Sequence, residues 1–238
     1  MRAGRVLLAD ERVEALGTLG TGVRSRDSRV TKIDDLAGWD VMVSDAAIDD
    51  PRILAAIDQH VPIITPHPLR HIRKASRMAP VVAAASIGSG LPAALAVLLM
   101  ERFDVVESVV AAITVPPKRI RQDRSVMFPD PVGVRWCETV PAPVSSPAGL
   151  MFAHAPYDGE LTAISVRAEG FVGTHHVTAL EAVVDDPLFS GAIALAGAAI
   201  MLIDGPPVDR QIEVQVLAAE YLKACVAAGL GVASFSAA

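Results

Sequence analysis

The first hundred residues alternate short apolar runs with segments of helical spacing. Val6-Leu7-Leu8-Ala9 is an apolar run closed by Asp10, and Val13, Leu16 and Leu19 then recur at a spacing that predicts a short helix from Glu11. Asp40-Val41-Met42-Val43-Ser44, Pro62-Ile63-Ile64-Thr65 and Val81-Val82-Ala83-Ala84-Ala85 predict further strands. Asp49-Asp50-Pro51 opens a helix, with an acidic cap and a proline in its first turn, and Ile53, Leu54, Ile57 and Val61 continue it. Leu69, Ile72 and Met78 mark another helical stretch, rich in Arg70, Arg73, Lys74 and Arg77. Strands apolar on both faces and separated by helices predict a parallel sheet covered on both sides.

The pattern changes after Phe103. Val105 to Val115 is a long strand-like run ended by Pro116-Pro117. Lys118 to Pro147 is rich in proline and charge and reads as loop, with one strand near Val132 to Trp136. Leu161 to Glu169 alternates between faces, Gly170 to Gly173 reads as a turn, and His175 to Val183 as the returning arm of a hairpin. Asp186-Pro187 starts a helix through Leu202, and Ile212 to Ala228 predicts a second. Strands followed by helices predict an α+β unit with a mainly antiparallel sheet. The expected division is residues 1–103, a parallel-sheet unit, and residues 104–238, the α+β unit.

Composition narrows the function classes. The 238-residue chain carries a net charge of -6, which argues against a nucleic-acid binder. Cys137 and Cys225 cannot form a disulfide framework and fit a reducing, cytoplasmic setting. The apolar stretch behind Arg2 and Arg5 stops at Asp10, so no signal peptide is expected. Met78 to Met100 is uncharged and long enough to span a membrane. Gly88-Ser89-Gly90-Leu91-Pro92 interrupts it, and it reads as buried strand, turn and buried helix.

A strand ending in an acid is, in a dinucleotide-binding fold, the second strand, whose carboxylate holds the cofactor's ribose. The first strand and its glycine-rich phosphate loop precede it in that fold, yet only four residues precede Arg5 here. Three arrangements answer this: the Val6 strand takes the central place, the two inner edges pair directly, or the start is truncated. The order of segments resembles the saccharopine dehydrogenase-like oxidoreductases. The likeness is carried by the strand ending in Asp10, by Val41 to Ser44, by Pro62 to Thr65, by the strand-turn-helix of Ala83 to Leu99, and by Tyr157-Asp158-Gly159-Glu160 leading into Thr162 to Gly170. The resemblance implies a Rossmann-like dinucleotide domain, truncated at its start, beside an α+β domain that mediates homodimerisation. It implies NAD or NADP as cofactor, or none if the first domain is degenerate.

Candidate site residues follow. Asp10 is either a ribose ligand or the N-cap of the helix at Glu11. Ser44 and Gly88 follow strands at their carboxyl ends, where open α/β sheets bind ligands. Gly17, Gly20 and Gly22 follow a helix-like segment, the wrong context for a phosphate loop. His154 and Tyr157, with Asp158, are proton-transfer candidates; a turn at Ala155 to Gly159 explains the same residues structurally. His175 is a further acid-base candidate, but His175 and His176 alternate faces in a strand and make no metal site. Lys118, Arg119, Arg121 and Arg124 form a basic cluster that reads as a solvated loop.

Three functions compete on these grounds. The first is an oxidoreductase acting on a small amino acid or imine with a nicotinamide cofactor. The second is a non-catalytic homologue that dimerises and binds a small ligand or partner. The third is a cofactor-independent enzyme with a histidine acid-base in the interdomain cleft.

Overall fold

The computed structural model describes residues 5–8, 24–26, 40–44, 50–69, 80–119, 121–128 and 132–237. Two sheets organise them. The first is a parallel sheet of β1 (Arg5–Leu8), β2 (Arg24–Arg26), β3 (Val41–Val43), β4 (Ile63–Ile64), β5 (Val81–Ala83) and β12 (Gln211–Glu213), in the order β12-β5-β4-β3-β1-β2. The second contains β6 (Val105–Val115), β7 (Arg124–Met127), β8 (Val134–Val140), β9 (Leu150–Pro156), β10 (Thr162–Val172), β11 (His175–Asp185) and β13 (Ala233–Ala237), in the order β13-β11-β10-β6-β9-β8-β7. It is antiparallel except where β6 and β9 run together. The fold is therefore α/β, with a parallel sheet and a mainly antiparallel one.

β1 lies inside the parallel sheet, between β2 and β3. The Val6 strand thus has a parallel neighbour on each side. The sheet alternates as a two-faced sheet must. Val41, Val43, Ile64 and Val82 join the large core formed with the helices and the second sheet. Met42, Ile63, Val81 and Ala83 pack with α1 (Pro51–Asp58) on the other face. Asp50 caps α1, its carboxylate accepting from the Arg52 amide at 2.9 Å, with Pro51 in the first turn.

α2 (Gly90–Met100) has almost no polar face, because β6 and β10 of the second sheet pack on it together with the last helix and the 3-10 turn before that helix. α3 (Pro187–Asp204) and α4 (Ala218–Ala227) cover the same core. They cross closely at Gly197, where a Cβ would stand 2.3 Å from Cys225 Sγ. Tyr221 is fully buried at this crossing and donates its hydroxyl to Ala194 O at 3.1 Å. Among the described residues no helix is long and apolar enough to cross a membrane.

Several expected elements differ. The stretch 118–147 carries two strands, β7 and β8, rather than one. They form because Val126, Phe128 and Val132 fold over Val110, Ala112 and Ala153 on the outer face of the second sheet. Ser165 Oγ secures them by donating to Met127 O at 2.5 Å. β9 and β10 make no hairpin at Ala155 to Gly159, since β6 is inserted between them. Gly170 stays within β10 at a bulge, where its missing Cβ admits Val105 O, and the turn falls at Gly173 with φ +59°. Gln211 to Glu213 extend the parallel sheet beside β5 instead of starting a helix, and one 3-10 turn, Val214–Leu217, leads into α4.

Candidate functional site

The parallel sheet changes direction of winding at β1: β2 lies on one side and β3 on the other. That is a topological switch point, and ligands of open α/β sheets bind at the carboxyl ends of such strands. Ser44 stands just beyond the carboxyl end of β3, fully buried, with its amide donating to Ile64 O at 3.0 Å. β1 ends at Leu8 on the other side of the switch. Asp10, Gly17, Gly20 and Gly22 lie outside the described residues.

The next two strands complete this edge. Thr65 follows β4, and its Oγ1 accepts from the His67 amide at 3.2 Å. His67 O accepts from the Ala84 amide at 2.8 Å, and the Ala85 amide donates to Thr65 O at 3.0 Å. Ala84 has φ +59°, a left-handed conformation costly for a residue with a Cβ and sustained here by these bonds. The chain then turns through Ser86 and Ser89, whose hydroxyls are 2.6 Å apart, into α2. Gly88 is exposed at this turn, with nothing within 4 Å of where a Cβ would be. Gly90 is structural instead: its Cβ would stand 2.0 Å from Ala84 O. In the first turn of α2 the Leu91 amide donates to Ser86 O and the Ala93 amide to Ser89 O, while Pro92 has no N–H.

The second half of the chain closes the edge through Glu213, at the carboxyl end of β12. This carboxylate, 3% exposed, accepts from the amides of Leu69 at 3.0 Å and Ser145 at 2.8 Å. Sequence reasoning missed Thr65, His67 and Glu213. The signal for the first two was their place directly after an apolar run. For Glu213 there was none, because its partners are distant in sequence.

His154 sits in β9 opposite Glu138 of β8, on the face that Phe152 and Leu150 turn to the central core. Burial pushes its imidazole below the usual value; Glu138 opposes the shift and Lys118 adds to it. The ring is therefore neutral at pH 7 and able to accept a proton. Tyr157 packs instead with the outer cluster, and the Arg135 guanidinium lies over its ring at 5.6 Å. His154 and Tyr157 thus belong to opposite faces of the sheet. Asp158 is exposed in the β9–β10 connection. His175 is exposed at the β10–β11 tip, where Gly173 N donates to Asp104 Oδ2. That tip adjoins the end of α2, about 16 Å of helix away from Gly90.

Cys137 and Cys225 are buried thiols, pushed up to about 11 and about 12 by desolvation. Neither is a thiolate nucleophile near neutral pH. Among the described residues no three His, Cys, Asp or Glu side chains converge as metal ligands.

No protein-family model matches the chain, and no curated protein does. Among solved structures it is similar to an oxidoreductase candidate from Magnetospirillum magnetotacticum MS-1, at 10% identity and TM-score 0.46, over 95% of this chain and 99% of that one. It is similar to GenD2 from gentamicin A biosynthesis, solved in complex with NAD, at 13% identity and TM-score 0.44, over 95% and 93%. A third is a dehydrogenase, MviM, from Clostridium difficile, at 8% identity and TM-score 0.39, over 95% and 98%. Likeness at this level says nothing of cofactor or substrate.

Proposed function

We propose that the protein is an oxidoreductase of a small molecule that uses NAD or NADP at the carboxyl edge of its parallel sheet. The observation that carries this reading is the switch point at β1, with β2 and β3 on either side and Ser44 just beyond β3. The donor set suits a dinucleotide. Ser86 carries its hydroxyl at the turn after β5, and the open space at Gly88 leaves room for close backbone approach. Asp10 would hold the ribose.

A bound nicotinamide supplies the hydride chemistry. The chain's own part is to orient the substrate and to move a proton. β6 packs against α2 and extends for eleven residues, about 36 Å, against about 16 Å of α2. His154 lies beside Ile113, in the last third of β6. His154, neutral and paired across the strands with Glu138, would take or return the proton. The substrate class that fits the saccharopine dehydrogenase-like resemblance is a small amino acid or imine.

A second reading is favoured by one feature. The Leu91 and Ala93 amides are already bonded and Pro92 has none, so the start of α2 presents few free donors to a phosphate. On that reading the chain is a non-catalytic homologue that binds a small ligand and forms a homodimer through its second sheet.

Thermal stability measured with NADH and NADPH separates the two. A ligand at 100 times its dissociation constant adds about 2.7 kcal/mol. A shift that disappears in Asp10→Ala, and falls in Gly88→Ala without loss of stability in the free protein, supports the oxidoreductase. No shift with either cofactor at saturating concentration overturns it.

A further inference from the structure

We infer that Glu213 is a positioning residue, locking the loop after β4 to the loop before β9 and so holding His67 at the carboxyl edge. The inference rests on that edge being the ligand site proposed above. Three donors converge on this one buried carboxylate. Leu69 N reaches Oε1 at 3.0 Å, while Ser145 N and Gln215 Nε2 reach Oε2, each at 2.8 Å. Leu69 is two residues beyond His67, whose own amide and carbonyl are bonded to Thr65 Oγ1 and Ala84 N. The β4 loop is thus held at both ends, by its own sheet and by a residue from the far half of the chain.

Gln215 shows what this arrangement costs. Its Nε2 also donates to Ser145 O at 2.7 Å, and two acceptors on one nitrogen fix the orientation of the amide. Its Oε1 is left buried, with no partner among the described residues. A buried acceptor without a donor is destabilising. It is kept because turning the amide over would aim oxygen at both Glu213 and Ser145 O. The site is built for a group that only accepts at position 213. Glutamine there would present an NH2 to at least one incoming donor, and would free Leu69 or Ser145.

Backbone hydrogen exchange on the full chain tests the lock without any cofactor. In Glu213→Gln the amide of Leu69 or of Ser145, whichever faces the new NH2, should exchange about tenfold faster or more, while Ala111 and Ile164 in the second sheet keep their protection. The ring resonance of His67 should shift in the same variant, which a lock that does not position His67 would leave in place. Glu213→Asp, which keeps the acceptor, should move that resonance less. Unchanged exchange at both Leu69 and Ser145, or an unmoved His67 ring when Leu69 is released, overturns the inference. If Glu213→Gln does not fold, Gln215→Met decides: Ser145 should loosen while Leu69 stays protected, and any other pattern counts against the lock. Titration of the wild type with NADH separately tests the cofactor reading, so the two fail by different measurements.

Discussion

Gly90 faces Val214 so closely that a Cβ on Gly90 would stand 2.3 Å from Val214 Cγ2 and 2.0 Å from Ala84 O. The start of α2 is thereby clamped between β5 and the turn that follows β12. Overpacking a core costs about 1–3 kcal/mol, and here one of the obstructing atoms is backbone and cannot rotate away. Gly90→Ala should lose at least that much in urea unfolding. Gly88→Ala, two residues earlier and open to solvent, should stay within about 0.5 kcal/mol of wild type.

The His154 imidazole sets a pH dependence. Its folded-state pKa lies below the usual value of about 6.5, chiefly through desolvation. Between the two values the unfolded chain binds more protons than the folded one. The contribution to stability is therefore complete above about pH 6.5 and is lost as the pH falls through the folded value. His154→Gln should flatten the wild-type stability profile on the acid side of pH 6.5. A profile unchanged by the substitution would contradict the burial of this ring.

Both thiols should resist alkylation in the native protein at pH 8, since burial holds them at about 11 and about 12. Thiol titration should count none before unfolding and two after it.

Phe128 is 3% exposed and covers Cys137, Val110 and Ala153 on the outer face of the second sheet. Phe128→Ala should cost about 3–5 kcal/mol, by the usual cost of deleting a buried aromatic ring. It should also make Cys137, but not Cys225, accessible to a thiol reagent.

Tyr221→Phe should cost about 1 kcal/mol, because it removes one buried hydroxyl donor from Ala194 O and leaves the packing of α3 on α4 in place. Thermal unfolding of the two proteins measures it.

Much of the local structure was legible in the chain. β6 ends where Pro116 removes a ladder donor, and its span from Val105 to Val115 follows directly from its apolar run. Asp50-Pro51 and Asp186-Pro187 mark the starts of α1 and α3, because cap and proline chemistry is local. Ser44 could be named as a candidate because it directly follows an apolar strand, and Gly88 because it lies in the turn after one. His67 could have been named by the same rule. The β7–β8 pair was not legible, since Val126, Phe128 and Val132 are sparse in a proline-rich stretch and become a core only over the outer face of the second sheet.

By itself, then, the order of apolar runs, caps and prolines determined a parallel α/β half followed by a mainly antiparallel half. That information acts over one or two turns of chain. Only the tertiary structure decided that β1 sits inside the parallel sheet, that β6 runs parallel to β9, and that His154 and Tyr157 face opposite ways. It alone sent Gln211 to Glu213 back to the first sheet, where a carboxylate meets Leu69 and Ser145. Strand pairing and buried hydrogen bonds join residues far apart in the chain, and no local spacing encodes which partners they will find.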